Sequence, residues 1–239
     1  MRAALQVNWR NKASYGYAAK LTGLGWAWEF LRRNPRFREE CAQSQARPTT
    51  GGKVPRAIFP PSKWGVLRAD SLDQTATGAN VFWDPAVCRH VLPVLSATPS
   101  IAAPPRHVLL CEGDRRLQLF VEYHPWLAED VLLTSALTSP AAFRRHQHAI
   151  ACLNAYVFTG HLPKRLFEHQ PASSRLVDVA QALDGALCNA SHREIAVAVY
   201  GERRAVAWHD PGDHLRDSIR RAINRGRHLM NGGYRRFLR

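Results

Sequence analysis

Acid is what this 239-residue chain has little of: 19 Asp and Glu stand against 33 Lys and Arg, a formal net charge of +14 with histidine neutral. A surplus of that size attracts phosphate backbones or acidic surfaces and speeds encounter with them, without naming the polyanion. Cysteine is also sparse. Cys41, Cys88, Cys111, Cys152 and Cys188 are far apart, odd in number and form no CxxC pair, which argues against a zinc module and against a disulfide framework. A reducing, cytoplasmic setting is the expectation. Long apolar runs are missing as well: none approaches the length of a membrane span, and residues 1–30 mix Trp, Arg, Lys and Tyr with no apolar core of the kind a signal peptide needs. The expected protein is soluble, with no membrane partner.

Catalytic signatures are equally scarce. There is no GxSxG, no P-loop, no GxGxxG after a strand and no HExxH. Asp84, Glu112 and Asp114 are separated and sit in turns, where such residues are common for backbone reasons. Of the eleven histidines, His146 and His148 are two apart, on different faces of a helix. His209 and His214 lack Cys or Glu partners at zinc spacing. The reading is of a protein that is not an enzyme and carries no metal or cofactor.

What is present is apolar content, 46% of the residues, enough for a globular chain of one large domain or of a small domain plus a medium one. Ser14 to Arg33 reads as an amphipathic helix, or a helix pair broken near Gly23 and Gly25, ended by Asn34-Pro35. Trp26, Trp28 and Phe30 make either a small core, which Tyr15 and Tyr17 support, or a partner-binding surface. Arg32, Arg33, Arg36 and Arg38 make the exit basic. Trp64–Ala69 and Val81–Trp83 are short apolar segments. His107–Cys111 and Leu117–Tyr123 form a hairpin around Glu112–Arg116, and Val131–Thr134 offers a third strand. A helix capped by Ser139-Pro140 runs to Gly160, and another covers Ser173 to Cys188.

The C-terminal stretch is the most informative. Ser191 and Glu194 form a capping box ahead of a helix carrying Ile195, Ala198 and Val199, and Gly201 stands at the terminator position. After Asp210-Pro211-Gly212, Asp213 caps a second helix. Leu215, Ile219, Ala222, Ile223, Leu229 and Met230 line its apolar stripe, and Arg216, Arg220, Arg221, Arg225 and Arg227 crowd the rest. Ile195, Val199, Leu215 and Ile219 are expected to be buried together. A solvated face is the plain alternative, but such faces carry acids at helical spacing, and no acid follows Asp217. A short capped helix followed by a cationic one is the pattern of a helix-turn-helix reader of double-stranded DNA. The turn is longer than the usual three or four residues. Either Glu202–His209 forms the second helix, or the turn is extended and the helix from Asp213 enters the groove; the denser arginines favour the latter. The candidate DNA-binding residues are Arg193, Arg216, Ser218, Arg220, Arg221, Asn224, Arg225 and Arg227. Arg220 or Arg221 would read guanine edges, and other arginines would hold phosphates.

Several segments resemble a proteobacterial family of small transcriptional regulators. They are Asn8-Trp9-Arg10, Tyr15, Gly25–Pro35, Trp64–Leu67 and Phe82–Pro85. In the C-terminal half, Arg116–Leu119, Gly160–Pro163, Arg193–Ala196, Leu215-Arg216 with Arg220-Arg221, and Gly232–Arg235 are similar to that family's domain of formerly unknown function. The resemblance implies a DNA-binding regulator. Some members resemble activators and others antiactivators of the excision of integrative and conjugative elements, so another transcriptional regulator or RNA polymerase is a further partner it implies. The expected architecture is α+β, mainly helical. A Trp-rich helical motif (1–40) and a linker (41–62) precede a small β region (63–135) and a helical helix-turn-helix-like DNA-binding domain (136–239).

Overall fold

The computed structural model describes residues 7–45, 58, 60–96, 106–123, 134–135, 140–205 and 214–239. Local sequence sets the N-terminal elements. Asn11 accepts from the Ala13 amide and starts a 3-10 helix, Lys12–Lys20; Thr22 does the same for Gly25 and starts α1, Gly23–Leu31. The segment is therefore a helix pair, broken at Leu21-Thr22. Asn34-Pro35 plays a second part beyond ending a helix. Asn34 Oδ1 accepts from the amides of Arg36 at 2.9 Å and Phe37 at 3.2 Å, and Pro35, needing no amide partner, opens α2, Pro35–Gln45. That helix continues into the stretch read from sequence as linker.

The chain divides into two compact units that do not follow chain order. One comprises residues 1–39, 72–78 and 169–237; the other comprises 40–71, 79–168 and 238–239. The second unit holds both sheets and is mixed α+β. Strands β1 (Val66–Ala69) and β2 (Val81–Trp83) pair antiparallel, with a register shift between Val66 and Arg68. The four-stranded sheet adds β3 (Leu92–Ser96), β4 (Arg106–Glu112), β5 (Arg115–Tyr123) and β6 (Thr134–Ser135) in the order β4-β5-β3-β6. The β4–β5 hairpin turns at Gly113, φ +62°, with Glu112 opposite Arg115. Strand β3 runs parallel to β5, Leu92 beside Leu119. Thr134 is in a strand, while Val131–Leu133 lie outside the described residues, as does the expected cap Ser139. Helix α3, Pro140–Thr159, covers the sheet and buries Ala149 and Cys152 against Leu92, Val94, Leu117, Leu119 and Leu162.

The first unit is helical. Its centre is α4, Ser173–Leu187, whose residues 176, 177 and 179–185 are all buried; the polar ones among them, Gln181 and Asp184, go inside with hydrogen-bond partners. Around it pack α5 (His192–Tyr200) and α7 (Leu215–Met230), with α6 (Glu202–Ala205) a single turn between them. A last 3-10 turn, Gly233–Leu238, follows. No helix among the described residues is long and apolar enough to cross a membrane.

Candidate nucleic-acid interface

The capping box forms as the sequence requires. Ser191 Oγ accepts from the Glu194 amide at 3.2 Å, and the Ser191 amide donates back to Glu194 Oε2 at 2.8 Å. The Ser191 amide, together with the Ser191 hydroxyl donating to the same oxygen at 2.9 Å, holds the Glu194 carboxyl below its ordinary pKa. Gly201 ends α5 at φ +87°, a value that side-chain-bearing residues rarely adopt. The expected burial is met for Ile195 and Val199 of α5 and Leu215 and Ile219 of α7, which share one cluster with Ala196, Ile223, Ala182 of α4 and Trp9; Ala198, expected on the same face, is only partly buried against it. Helix α7 begins at Leu215; Asp213, expected as its cap, lies outside the described residues, as do residues 206–209 of the competing second helix.

With the stripe inward, α7 turns its remaining surface to water. Arg216, Arg220, Arg221, Asn224, Arg225 and Arg227 are exposed, Ser218 is half-buried, and Arg193 is exposed on α5. At 100° per residue, Arg216, Arg220, Asn224 and Arg227 fall on one side of this surface, and Arg221 and Arg225 on the other. The one carboxylate there, Asp217, sits 3.1 Å from Arg220, with both side chains more than half exposed. Such a pair contributes little and yields readily to a stronger anion. Beyond the helix, Arg236 has its pKa lowered by partial burial and then by the Arg225 charge, so two cations crowd one place. Tyr234 and Phe237 anchor this last turn in the core, and Arg235 is exposed.

A second cationic group surrounds Tyr200, at the C-terminus of α5. The Arg204 guanidinium lies 5.5 Å from the ring centroid. Lys12 Nζ donates to Asp178 Oδ1 at 2.9 Å and to the Val199 carbonyl at 3.2 Å. Burial and the Asp178 charge raise the phenol pKa, against Arg204, Lys12 and Arg221. The sequence does not reveal this group, because its members come from five elements and nothing local links Lys12 to Tyr200.

Two arginines read as part of a basic exit are not at the surface at all. Arg32 and Arg33 are fully buried. Arg33 grips Asp184 of α4 with both Nε (2.8 Å) and Nη2 (3.0 Å), and reaches Glu29 Oε2 with Nη1 at 2.5 Å. Arg32 Nε donates to the same Glu29 oxygen at 2.9 Å. Tyr15 donates to Asp184 at 2.6 Å and Tyr17 to Glu29 at 2.9 Å. Burial alone would raise the Glu29 pKa; Arg33 and Arg32 outweigh it and hold the carboxyl below its ordinary value. Trp26, Trp28 and Phe30 are buried as well, so the aromatic motif is core rather than a partner-binding surface.

Among the described residues no group of three or more His, Cys, Asp or Glu side chains is placed to hold a metal ion. His148 meets His90 edge-on at 6.2 Å, and burial, aided by neighbouring Arg89, His148 and His146, lowers the His90 pKa to about 4.

Comparison with protein families found two matches. Residues 137–239 match a model described as a T6SS transcription factor DNA-binding domain. Residues 8–67 match a proteobacterial transcriptional regulator-like domain. A search of curated proteins found no match. The chain thus joins a segment similar to a regulator-like domain to a segment similar to a transcription-factor DNA-binding domain, and the two together support a DNA-binding regulator.

Proposed function

We propose that the protein binds double-stranded DNA sequence-specifically through a helix-turn-helix-like arrangement of α5 and α7, and so controls transcription without chemistry on the DNA. The observation that carries this reading is the two-sided composition of α7. Its stripe is locked onto α4 and α5, and its opposite surface carries five exposed arginines and Asn224 against one weakly paired carboxylate. The interface comprises Arg193, Arg216, Ser218, Arg220, Arg221, Asn224, Arg225 and Arg227. Arg220, on the second turn, is placed to reach a guanine edge once it exchanges Asp217 for the base, since a recognition helix enters the groove with its N-terminal turns.

Two gene sets are candidates for the target. The resemblance to regulators of integrative and conjugative elements favours mobile-element genes, and the printed description of the C-terminal match favours T6SS genes. Mapping genomic binding sites by immunoprecipitation and sequencing decides between them and supplies an operator.

Binding to that operator and to a scrambled duplex then tests the interface. Affinity for both should fall by roughly 0.9 log units per log unit of salt for each phosphate neutralised. Arg220→Ala should weaken operator binding by about 1–3 kcal/mol and lower the ratio of operator to scrambled affinity. A flat salt dependence and an unchanged ratio would remove DNA reading. They would leave the docking of this basic face on another regulator, as in an antiactivator, as the function.

A further inference from the structure

We infer that Tyr200, Arg204 and Arg221, backed by Lys12, form a clamp for one backbone phosphate of the bound duplex, beside the reading surface of α7. The inference rests on the DNA-binding reading above and adds residues that α7 alone does not supply.

The geometry begins with a phenol at the end of α5. Arg204 from α6 lies over its ring, and Lys12 from the N-terminal 3-10 helix and Arg221 from α7 are near enough for their charges to act on it, with Asp178 of α4 the one carboxylate that does so among the described residues. Three cations and one anion leave a local charge of about +2 on a surface patch, a potential that attracts a phosphodiester. Lys12 is accounted for without any ligand, since it neutralises Asp178 and satisfies a carbonyl at the negative end of α5. Arg204 and Arg221 are not. Both are exposed, and neither has a carboxylate within ion-pair distance among the described residues. Arg204 is held over the Tyr200 ring, an arrangement that orders a guanidinium while leaving its donors in water. The phenol itself is half-buried, and its hydroxyl makes no hydrogen bond among the described residues. Its raised pKa keeps it protonated and able to donate. Two arginines and one hydroxyl, none of them paired among the described residues, are the donor set by which proteins hold DNA phosphates.

The assignment also divides the work on α7. Arg221 lies 100° around the helix from Arg220. On this view Arg221 holds backbone, and Arg220, Asn224 and Arg227 face the bases.

The test uses the full chain, the mapped operator and a scrambled duplex, with binding followed by fluorescence anisotropy over a salt series. Arg204→Ala should weaken both duplexes by the same factor and make the log–log salt slope shallower by about 0.9, one phosphate's worth. Tyr200→Phe keeps the ring and the stacked arginine but removes the donor. It should weaken both duplexes equally, about threefold to tenfold, with the salt slope of the unmodified chain. Melting temperatures should be unchanged in both variants, since Arg204 is exposed and Tyr200→Phe keeps the half-buried ring.

If the unmodified chain binds with a steep slope and both variants match it, the clamp is overturned and the DNA reading stands. If either variant lowers the ratio of operator to scrambled affinity, these side chains read bases and the clamp is overturned. If inorganic phosphate in millimolar excess raises the melting temperature of the unmodified chain but not of Arg204→Ala, while their DNA slopes are equal, the site takes free phosphate and the clamp is again overturned. An unmodified chain that binds neither duplex would overturn the DNA reading itself.

Discussion

A single carboxylate, Asp184, ties two distant parts of the sequence together. It lies on α4 and accepts two hydrogen bonds from Arg33 and one from Tyr15, all in the buried interior of the first unit. A buried pair gains stability only when its remaining donors and acceptors are satisfied, and removing one partner strands the other charge. Asp184→Ala should therefore destabilise the folded chain by about 3–5 kcal/mol, read from denaturant unfolding. Asp184→Asn keeps the shape and one acceptor, and should cost less. Equal stability in Asp184→Ala and the unmodified chain would mean that Arg33 finds compensation elsewhere. This network was not legible in the sequence. Composition shows that Arg32 and Arg33 are charged, and a run of four arginines within seven residues reads as surface. The partner that takes Arg33 inside stands 151 positions away, and no local pattern points to it.

Elements whose determinants are local were legible. The Ser191–Glu194 box, the Gly201 terminator and the Leu215–Ile219–Ile223 stripe each need only a few neighbouring residues, and each stands where the pattern put it. The β4–β5 hairpin was legible for the same reason. Strand β3 was not: Leu92-Pro93-Val94-Leu95-Ser96 contains a proline, which argues against a strand, and it pairs in parallel with a strand more than twenty residues on. The closeness of α4 and α7 has no local signal in the sequence either, and it depends on Gly226. A Cβ there would lie 2.9 Å from Leu183 Cβ and 3.2 Å from the Val179 carbonyl. Neither neighbour is the free end of a flexible side chain, so the helices themselves would have to part. Gly226→Ala gains about 1 kcal/mol of helix propensity but meets an overpacking cost of about 1–3 kcal/mol. The expected net result is a lower melting temperature and weaker DNA binding through a displaced α7. A raised melting temperature would show that α7 does not sit this close to α4.

At the scale of the whole molecule, chain order suggests a succession of regions, with a Trp-rich motif at one end and a DNA-binding region at the other. The first compact unit instead takes residues 1–39, 72–78 and 169–237 together. The N-terminal segment supplies parts that the C-terminal helices lack. Trp9 is buried among Ile195, Val199, Ile219 and Ile223. Gln181 donates to the Trp9 carbonyl at 2.9 Å and to the Ala198 carbonyl at 3.0 Å. Trp26 Nε1 donates to Ser173 Oγ at 3.1 Å, and Asn34 Nδ2 to the Met230 carbonyl at 3.0 Å. Burying an indole such as Trp9 contributes on the order of 3 kcal/mol, and stable domains hold only about 5–15 kcal/mol in total. Residues 137–239, although they span the match to a DNA-binding domain, should therefore not fold alone. Expressed from residue 137 onward, the chain should show no cooperative thermal transition and no operator preference. Adding residues 1–45 as a separate chain should restore both if the buried contacts suffice to recruit it. A sharp melt and full operator affinity from residues 137–239 alone would show that the N-terminal segment merely decorates a core that is complete without it.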